Sequence, residues 1–146
     1  MKKLMMITCS VLMLLGLGQN ASAQKNEKNE TIEGNGKLVT RTLPVQGFTE
    51  LKASGVYELK LAQGSKEEVK IEADENLQDL FTVRNEGSKL VIAMDKEKNK
   101  NRNIKTKNKI RVYVTFKQLK DVELSTVGNV SADSKLEFND LDLHNK

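Results

Sequence analysis

After position 33 the chain alternates apolar and polar side chains in short runs, each closed by Gly, Asn, Asp or Ser, and no other feature constrains the fold so strongly. A strand with one buried face needs a period of two, whereas a helix needs one near 3.6 residues, so the chain reads as all-β. The runs are Leu38 to Leu43 before Pro44, Phe48 to Ser54, Val56 to Ala62, Glu68 to Ala73, Phe81 to Arg84, Leu90 to Met94, Ile110 to Phe116 and Val122 to Ser125. Turn residues separate them at Gln63-Gly64-Ser65, Asn85-Glu86-Gly87-Ser88 and Val127-Gly128-Asn129. Only Glu75 to Leu80 reads as a helical turn, with Asp74 as its cap. Alternation predicts that Val56, Leu59 and Leu61 face inward with Val69, Ile71 and Ala73, and Val112, Val114 and Phe116 with Leu90, Ile92 and Met94. Some runs break strict parity, which a bulge and burial on both faces would each explain.

One seven-residue template occurs three times: Phe48 to Ser54, Leu119 to Ser125 and Phe138 to His144. Each copy runs apolar, two polar, apolar, polar, apolar, then small or polar. The second and third copies are spaced by about twenty residues, the length of one coil in a β-solenoid whose equivalent strands stack in register. This predicts a β-solenoid-like stack of short strands.

The N-terminus has the three-part layout of an export signal: basic Met1-Lys2-Lys3, an apolar core from Leu4 to Leu17, and Ala21-Ser22-Ala23 as a small-x-small site with cleavage before Gln24. The apolar core falls short of the roughly 20 residues that span a bilayer. Cys9, the single cysteine, lies inside that core and is not placed for lipid attachment. From Gln24 onward the chain therefore has no thiol, which excludes a disulfide framework, a cysteine nucleophile and Cys-ligated metal. Residues 1–23 read as the signal, 24–33 as a flexible polar leader and 34–146 as the β domain, destined for the periplasm, the outer membrane or the outside of the cell. No later apolar run reaches membrane-spanning length.

The order Gly34-Asn-Gly36, Arg41-Thr-Leu43, Val45-Gln-Gly47-Phe48, Ala53-Ser-Gly55-Val56-Tyr-Glu-Leu59-Lys-Leu61, Val69-Lys-Ile71-Glu-Ala73-Asp74 and Gly87-Ser-Lys-Leu90-Val-Ile92 resembles the putative auto-transporter adhesin, head GIN domain family. The resemblance runs from about residue 34 to the end and rests on dispersed strand and turn residues. It implies a right-handed parallel β-helix or closely related β-solenoid, exported by Bacteroidetes-type bacteria and acting as a non-catalytic, adhesin-like binding module, and it supplies no catalytic residues. Because Lys146 falls just after the third template copy, a short or partial member is expected, with self-association or a partner covering an uncapped C-terminal edge.

The strongest compositional anomaly is Lys96 to Lys109, where Lys96, Lys98, Lys100, Arg102, Lys105, Lys107 and Lys109 stand against the single acid Glu97. The whole chain has a formal net charge of +4 at pH 7, so this segment lies on an otherwise acidic body. It reads either as a long solvated connection or as a footprint for anionic lipid or lipopolysaccharide. Nucleic acid is not expected, because the segment holds no aromatic side chain for base stacking. Glu137, Asp140 and Asp142 are oxygen donors of the kind calcium takes, but their alternation with Leu136, Phe138, Leu141 and Leu143 reads as the polar face of a strand. His144 has no companion at ligand spacing. Tyr57, Glu58 and Arg84 are of the types used by polysaccharide-cleaving β-helices, yet nothing in their spacing brings them together. No enzyme activity and no cofactor are expected. The partner classes left are a cell-envelope, glycan or protein ligand and an anionic lipid surface; the alternatives are a structural envelope protein and, less favoured, a carbohydrate-active enzyme.

Overall fold

The computed structural model describes residues 30–94, 102–126 and 128–146. The expected signal and residues 24–29 of the expected leader lie outside them. The described strands are β1 (Glu30–Glu33), β2 (Leu38–Pro44), β3 (Glu50–Gly55), β4 (Glu58–Gln63), β5 (Glu68–Asp74), β6 (Phe81–Glu86), β7 (Lys89–Met94), β8 (Arg102–Lys105), β9 (Arg111–Phe116), β10 (Asp121–Thr126), β11 (Val130–Ala132) and β12 (Asp142–Asn145). A 3-10 turn, Glu75–Leu80, leads from β5 to β6. The all-β reading holds, and Glu30–Glu33 of the expected leader form a strand, β1, paired with β8.

Two five-stranded sheets carry the fold, the first in the order β12-β10-β3-β7-β6 and the second in the order β11-β4-β9-β5-β2, with β1 and β8 forming a separate ribbon. Their inward faces share one hydrophobic cluster that includes Leu51, Leu59, Ile71, Leu90, Val112 and Phe116. Parallel register stacks like on like: Leu51 faces Leu90 on one side and Val122 on the other, while Leu59 faces Val112. The pairs β3–β4, β7–β9 and β10–β11 each pass from the first sheet to the second, and β3–β4 lies between the other two. Antiparallel pairing also occurs, between β2 and β5, β5 and β9, and β6 and β7. The last of these has a local cause, since only Gly87 and Ser88 separate β6 from β7 and so short a turn can join only antiparallel strands.

Two sequence expectations need correction. Val56 does not face inward; it is 60% exposed, and Tyr57 takes the buried place at 3%. Strict parity is the cause: Leu51, Ala53, Gly55, Tyr57, Leu59 and Leu61 are all buried, so the alternation runs unbroken through Gly55 and Val56 falls on the outward side. At Gly55 φ is 133°, and a side chain there would meet Met94 Cγ at 2.8 Å and Tyr57 Cε1 at 2.9 Å. The third template copy, moreover, does not keep the register of the first two. The template aligns Leu51 with Val122 and Ala53 with Leu124, as observed, but Val122 pairs with Leu143 and not with Leu141. That slip of two residues preserves which face points inward. It follows from the segment before β12, where Phe138 stacks on Phe116 at 6.0 Å, Leu136 and Leu141 pack on the core, and the Gln63 side chain holds both backbone groups of Glu137.

The helical turn forms where expected, but Asp74 makes no side-chain cap. Buried Gln78 fixes the turn instead, donating to the carbonyls of Val39 at 2.7 Å and Ile71 at 3.1 Å and so joining it to β2 and β5.

The unbroken parity from Leu51 to Leu61 makes a direct prediction for chemical denaturation. Leu59→Ala should cost about 2–5 kcal/mol, as buried leucines do, whereas Val56→Asp should stay within about 0.5 kcal/mol of the parent.

Candidate functional site

Of the seven basic residues singled out from the sequence, Lys96, Lys98 and Lys100 lie outside the described residues, and Arg102 is described only as the first position of β8. The other three are not a free cationic loop. Lys105 ends β8 with its carbonyl accepting from the Gly34 amide at 2.7 Å; the Lys107 ammonium lies 3.8 Å from Glu33, and that of Lys109 lies 3.4 Å from Glu58. Acids of the body thus partly neutralise the segment.

The anchor of this region is Asp74, whose side chain is fully covered at the end of β5. One carboxylate oxygen accepts from the Lys107 amide at 3.0 Å and the other from the Asn108 side chain at 2.5 Å. Asn108 in turn donates to the Gly36 carbonyl at 3.1 Å, tying both chain segments together. Burial alone would raise the carboxyl pKa, but the Asn108 side chain, the backbone of Lys107 and Asn108 and the Lys107 charge outweigh it and hold the pKa below the ordinary aspartate range. Gly34 is required here, because a side chain at that position would lie 1.8 Å from Asp74 Oδ2.

Beside this anchor, a crevice of about 480 Å³ opens between the Val56–Glu58 arc, β8, Lys109–Ile110 and Gly128–Asn129. Val56, Tyr57, Met94, Ile104 and Ile110 give it an apolar wall, and Glu58, Asn103, Thr106, Lys109 and Asn129 supply polar groups. Ile104 pairs in register with Ile32 of β1, and both pack against the core, so the ribbon forms one side of the crevice. The Tyr57 hydroxyl is buried and, among the described residues, meets no partner closer than the Ser54 backbone; its ring lies 5.7 Å from that of Phe81. Burial pushes the phenol well above its usual pKa, with the Ser54 backbone opposing only in part. The Lys109 ammonium, assisted by Arg111, holds the Glu58 carboxyl below the usual carboxylate range. Of the apolar wall the sequence singled out only Tyr57, and for a different constellation, because the wall's members come from four separate segments and carry no motif.

Neither other residue set converges. Tyr57 and Glu58 line the crevice, but Arg84 lies on β6 in the first sheet and pairs with Glu86 at 2.7 Å. Among the described residues no three His, Cys, Asp or Glu side chains come together as a metal site, so Glu137, Asp140 and Asp142 remain apart. No helix of the described residues is long and apolar enough to cross a membrane.

The sequence profile of the putative auto-transporter adhesin, head GIN domain family matches residues 47–146. The chain belongs to this family. The matched span takes in β3 to β12, while β1 and β2 precede it. Similar solved structures include a putative adhesin from Bacteroides fragilis NCTC 9343, 24% identical with a TM-score of 0.69 over 77% of this chain and 51% of that one. A putative adhesin from Parabacteroides merdae ATCC 43184 is 26% identical, with a TM-score of 0.65 over 80% of this chain and 47% of that one. A putative lipid binding protein from Parabacteroides distasonis ATCC 8503 is 21% identical, with a TM-score of 0.68 over 80% of this chain and 49% of that one. The chain thus spans about half the length of these solved neighbours. Comparison with curated proteins returned no match.

The Asp74 anchor sets an acid limit on stability. Its folded pKa is lowered, so its contribution is complete above about pH 4, the ordinary aspartate value, and is lost as pH falls through the lower folded value. Asp74→Asn should lower stability at pH 7, flatten the pH dependence below pH 4 and speed amide exchange at Lys107 and Asn108. Thermal melts across that range with hydrogen exchange would check all three; a variant that keeps the parental acid profile would contradict the assignment.

Proposed function

We propose that this chain is a non-catalytic, adhesin-like binding module of the cell envelope, exported by way of residues 1–23, whose crevice beneath β8 takes an amphiphilic ligand. The observation that carries the reading is the crevice itself: an apolar wall with 60% exposed Val56, bordered by the amides of Asn103 and Asn129 and by the Lys109 ammonium. Such a lining binds a ligand with an apolar part and orients it with a few polar groups. Nothing in it pairs a nucleophile with a base, and both charges at its edge, Lys109 and Glu58, are spent on each other. The family name and the adhesin names of the neighbours support a surface binding role. The same reading takes β3–β4, β7–β9 and β10–β11 as coils of a β-solenoid, with the antiparallel strands β5, β6 and β2 closing one end of the stack.

A second reading makes the basic segment from Lys96 to Lys109 a contact for anionic lipid, supported by its charge and by the lipid-binding name of one neighbour. One set of titrations separates the two, using the chain from Gln24 onward, which keeps every described residue. The crevice reading expects saturable binding of anilinonaphthalene sulfonate and of myristate to the folded protein, the myristate recovered unchanged, with about a fivefold loss in Val56→Asp. Equal binding by that variant would contradict it. The lipid reading expects salt-sensitive binding to phosphatidylglycerol vesicles that disappears when Lys105, Lys107 and Lys109 become Gln.

A further inference from the structure

The outward face of the second sheet carries a row of side chains that the crevice does not use. Register places Ser131 of β11 beside Lys60 of β4, Lys60 beside Tyr113 of β9, Tyr113 beside Lys70 of β5, and Lys70 beside Thr42 of β2. The order across the sheet is hydroxyl, ammonium, phenol, ammonium, hydroxyl. At a strand spacing of about 4.8 Å the row is roughly 19 Å long, with its two lysines about 10 Å apart. Every member donates a hydrogen bond and none is a carboxylate.

The flanking rows differ. On one side Glu58, Arg111 and Glu72 form a closed set, with Arg111 3.4 Å from Glu58 and 2.6 Å from Glu72. On the other, in the row of Ala62, Thr115 and Glu68, Glu68 turns toward Lys70 at 3.1 Å and leaves the Lys70 side chain 46% exposed. The Lys60 ammonium lies 5.7 Å from the centre of the Tyr113 ring, which limits its rotamers before any ligand arrives. On the first sheet Lys52 and Lys89 each share their own row with the carboxylate they pair with, Glu123 and Glu50, whereas the carboxylate that Lys70 meets, Glu68, comes from the neighbouring row.

We propose that this row binds a linear anionic polysaccharide lying across the strands, with acid groups of the chain on Lys60 and Lys70 and its hydroxyls on Ser131, Tyr113 and Thr42. Charge geometry selects that partner. A single donor line between rows that contain Glu58, Glu72 and Glu68 accepts one extended chain, whereas a bilayer surface would press phosphates onto those carboxylates. Single-stranded nucleic acid would need aromatic faces for its bases, and Lys60 already covers the one aromatic ring in the row. The inference is independent of the crevice reading, because it uses a different face and different residues.

Affinity electrophoresis of the chain from Gln24 onward tests it, run through gels containing hyaluronate, polygalacturonate or neutral dextran. Retardation by at least one of the two acidic polymers and none by dextran is expected. The double variant Lys60→Gln with Lys70→Gln should bind at least about tenfold more weakly and Tyr113→Leu roughly threefold more weakly. Lys52→Gln with Lys89→Gln on the first sheet, and Val56→Asp at the crevice, should match the parent, with thermal melts showing every variant folded. No retardation by either acidic polymer, equal retardation by dextran, or undiminished binding by the Lys60 and Lys70 double variant would overturn the proposal. So would binding to phosphatidylglycerol vesicles that depends on the same two lysines while both acidic polymers leave the protein unretarded.

Discussion

The in-register parallel pairing of β3 with β7 and β10 is the constraint on which the rest of the molecule depends. It stacks Leu51 between Leu90 and Val122, and Ala53 between Ile92 and Leu124, all buried. A slip of one residue would turn the whole set outward, because side chains alternate faces. From Gln24 onward there is no cysteine to hold the strands by other means, so register must be maintained by burial and backbone hydrogen bonds alone. The slip at β12 is of the harmless kind: two residues, the same face, driven by Phe138 and Leu141 packing inward.

The same register decides what the surface offers. Where opposite charges fall side by side, as with Arg111 between Glu58 and Glu72, the surface is electrostatically closed. Where Lys60, Tyr113 and Lys70 fall side by side, the row itself holds no carboxylate, and the Glu68 that meets Lys70 comes from the next row. At the arc between the sheets a different device operates. Alternation continued through Gly55 turns Tyr57 inward and leaves Val56 exposed, and the Asp74 anchor fixes residues 107 and 108 beside the resulting crevice.

Local periodicity made most of the core readable: Leu59, Leu61, Val69, Ile71, Val112, Val114, Leu90 and Ile92 are all buried as alternation requires. Pairing between distant strands was readable only where a template repeated, as in β3 and β10. Val56 departs from the expectation because strict period two from Ala53 to Leu59 passes through Gly55 and Tyr57, which leaves Val56 on the outward side. The basic segment was visible as charge, but Glu33, Glu58 and Asp74, which tie it down, come from other parts of the chain. The crevice and the lysine row were invisible for the same reason, since both are made by strands that meet only in the folded sheet order.

A single measurement reaches both the fold and the surface built on it: an interstrand nuclear Overhauser map of the isotopically labelled chain from Gln24 onward. The account predicts backbone contacts joining Leu51–Ala53 to Val122–Leu124 in parallel register, and contacts placing Tyr113 between Lys60 and Lys70. Contacts displaced by one residue, or a meander in which β3 pairs with β4 and β4 with β5, would contradict it.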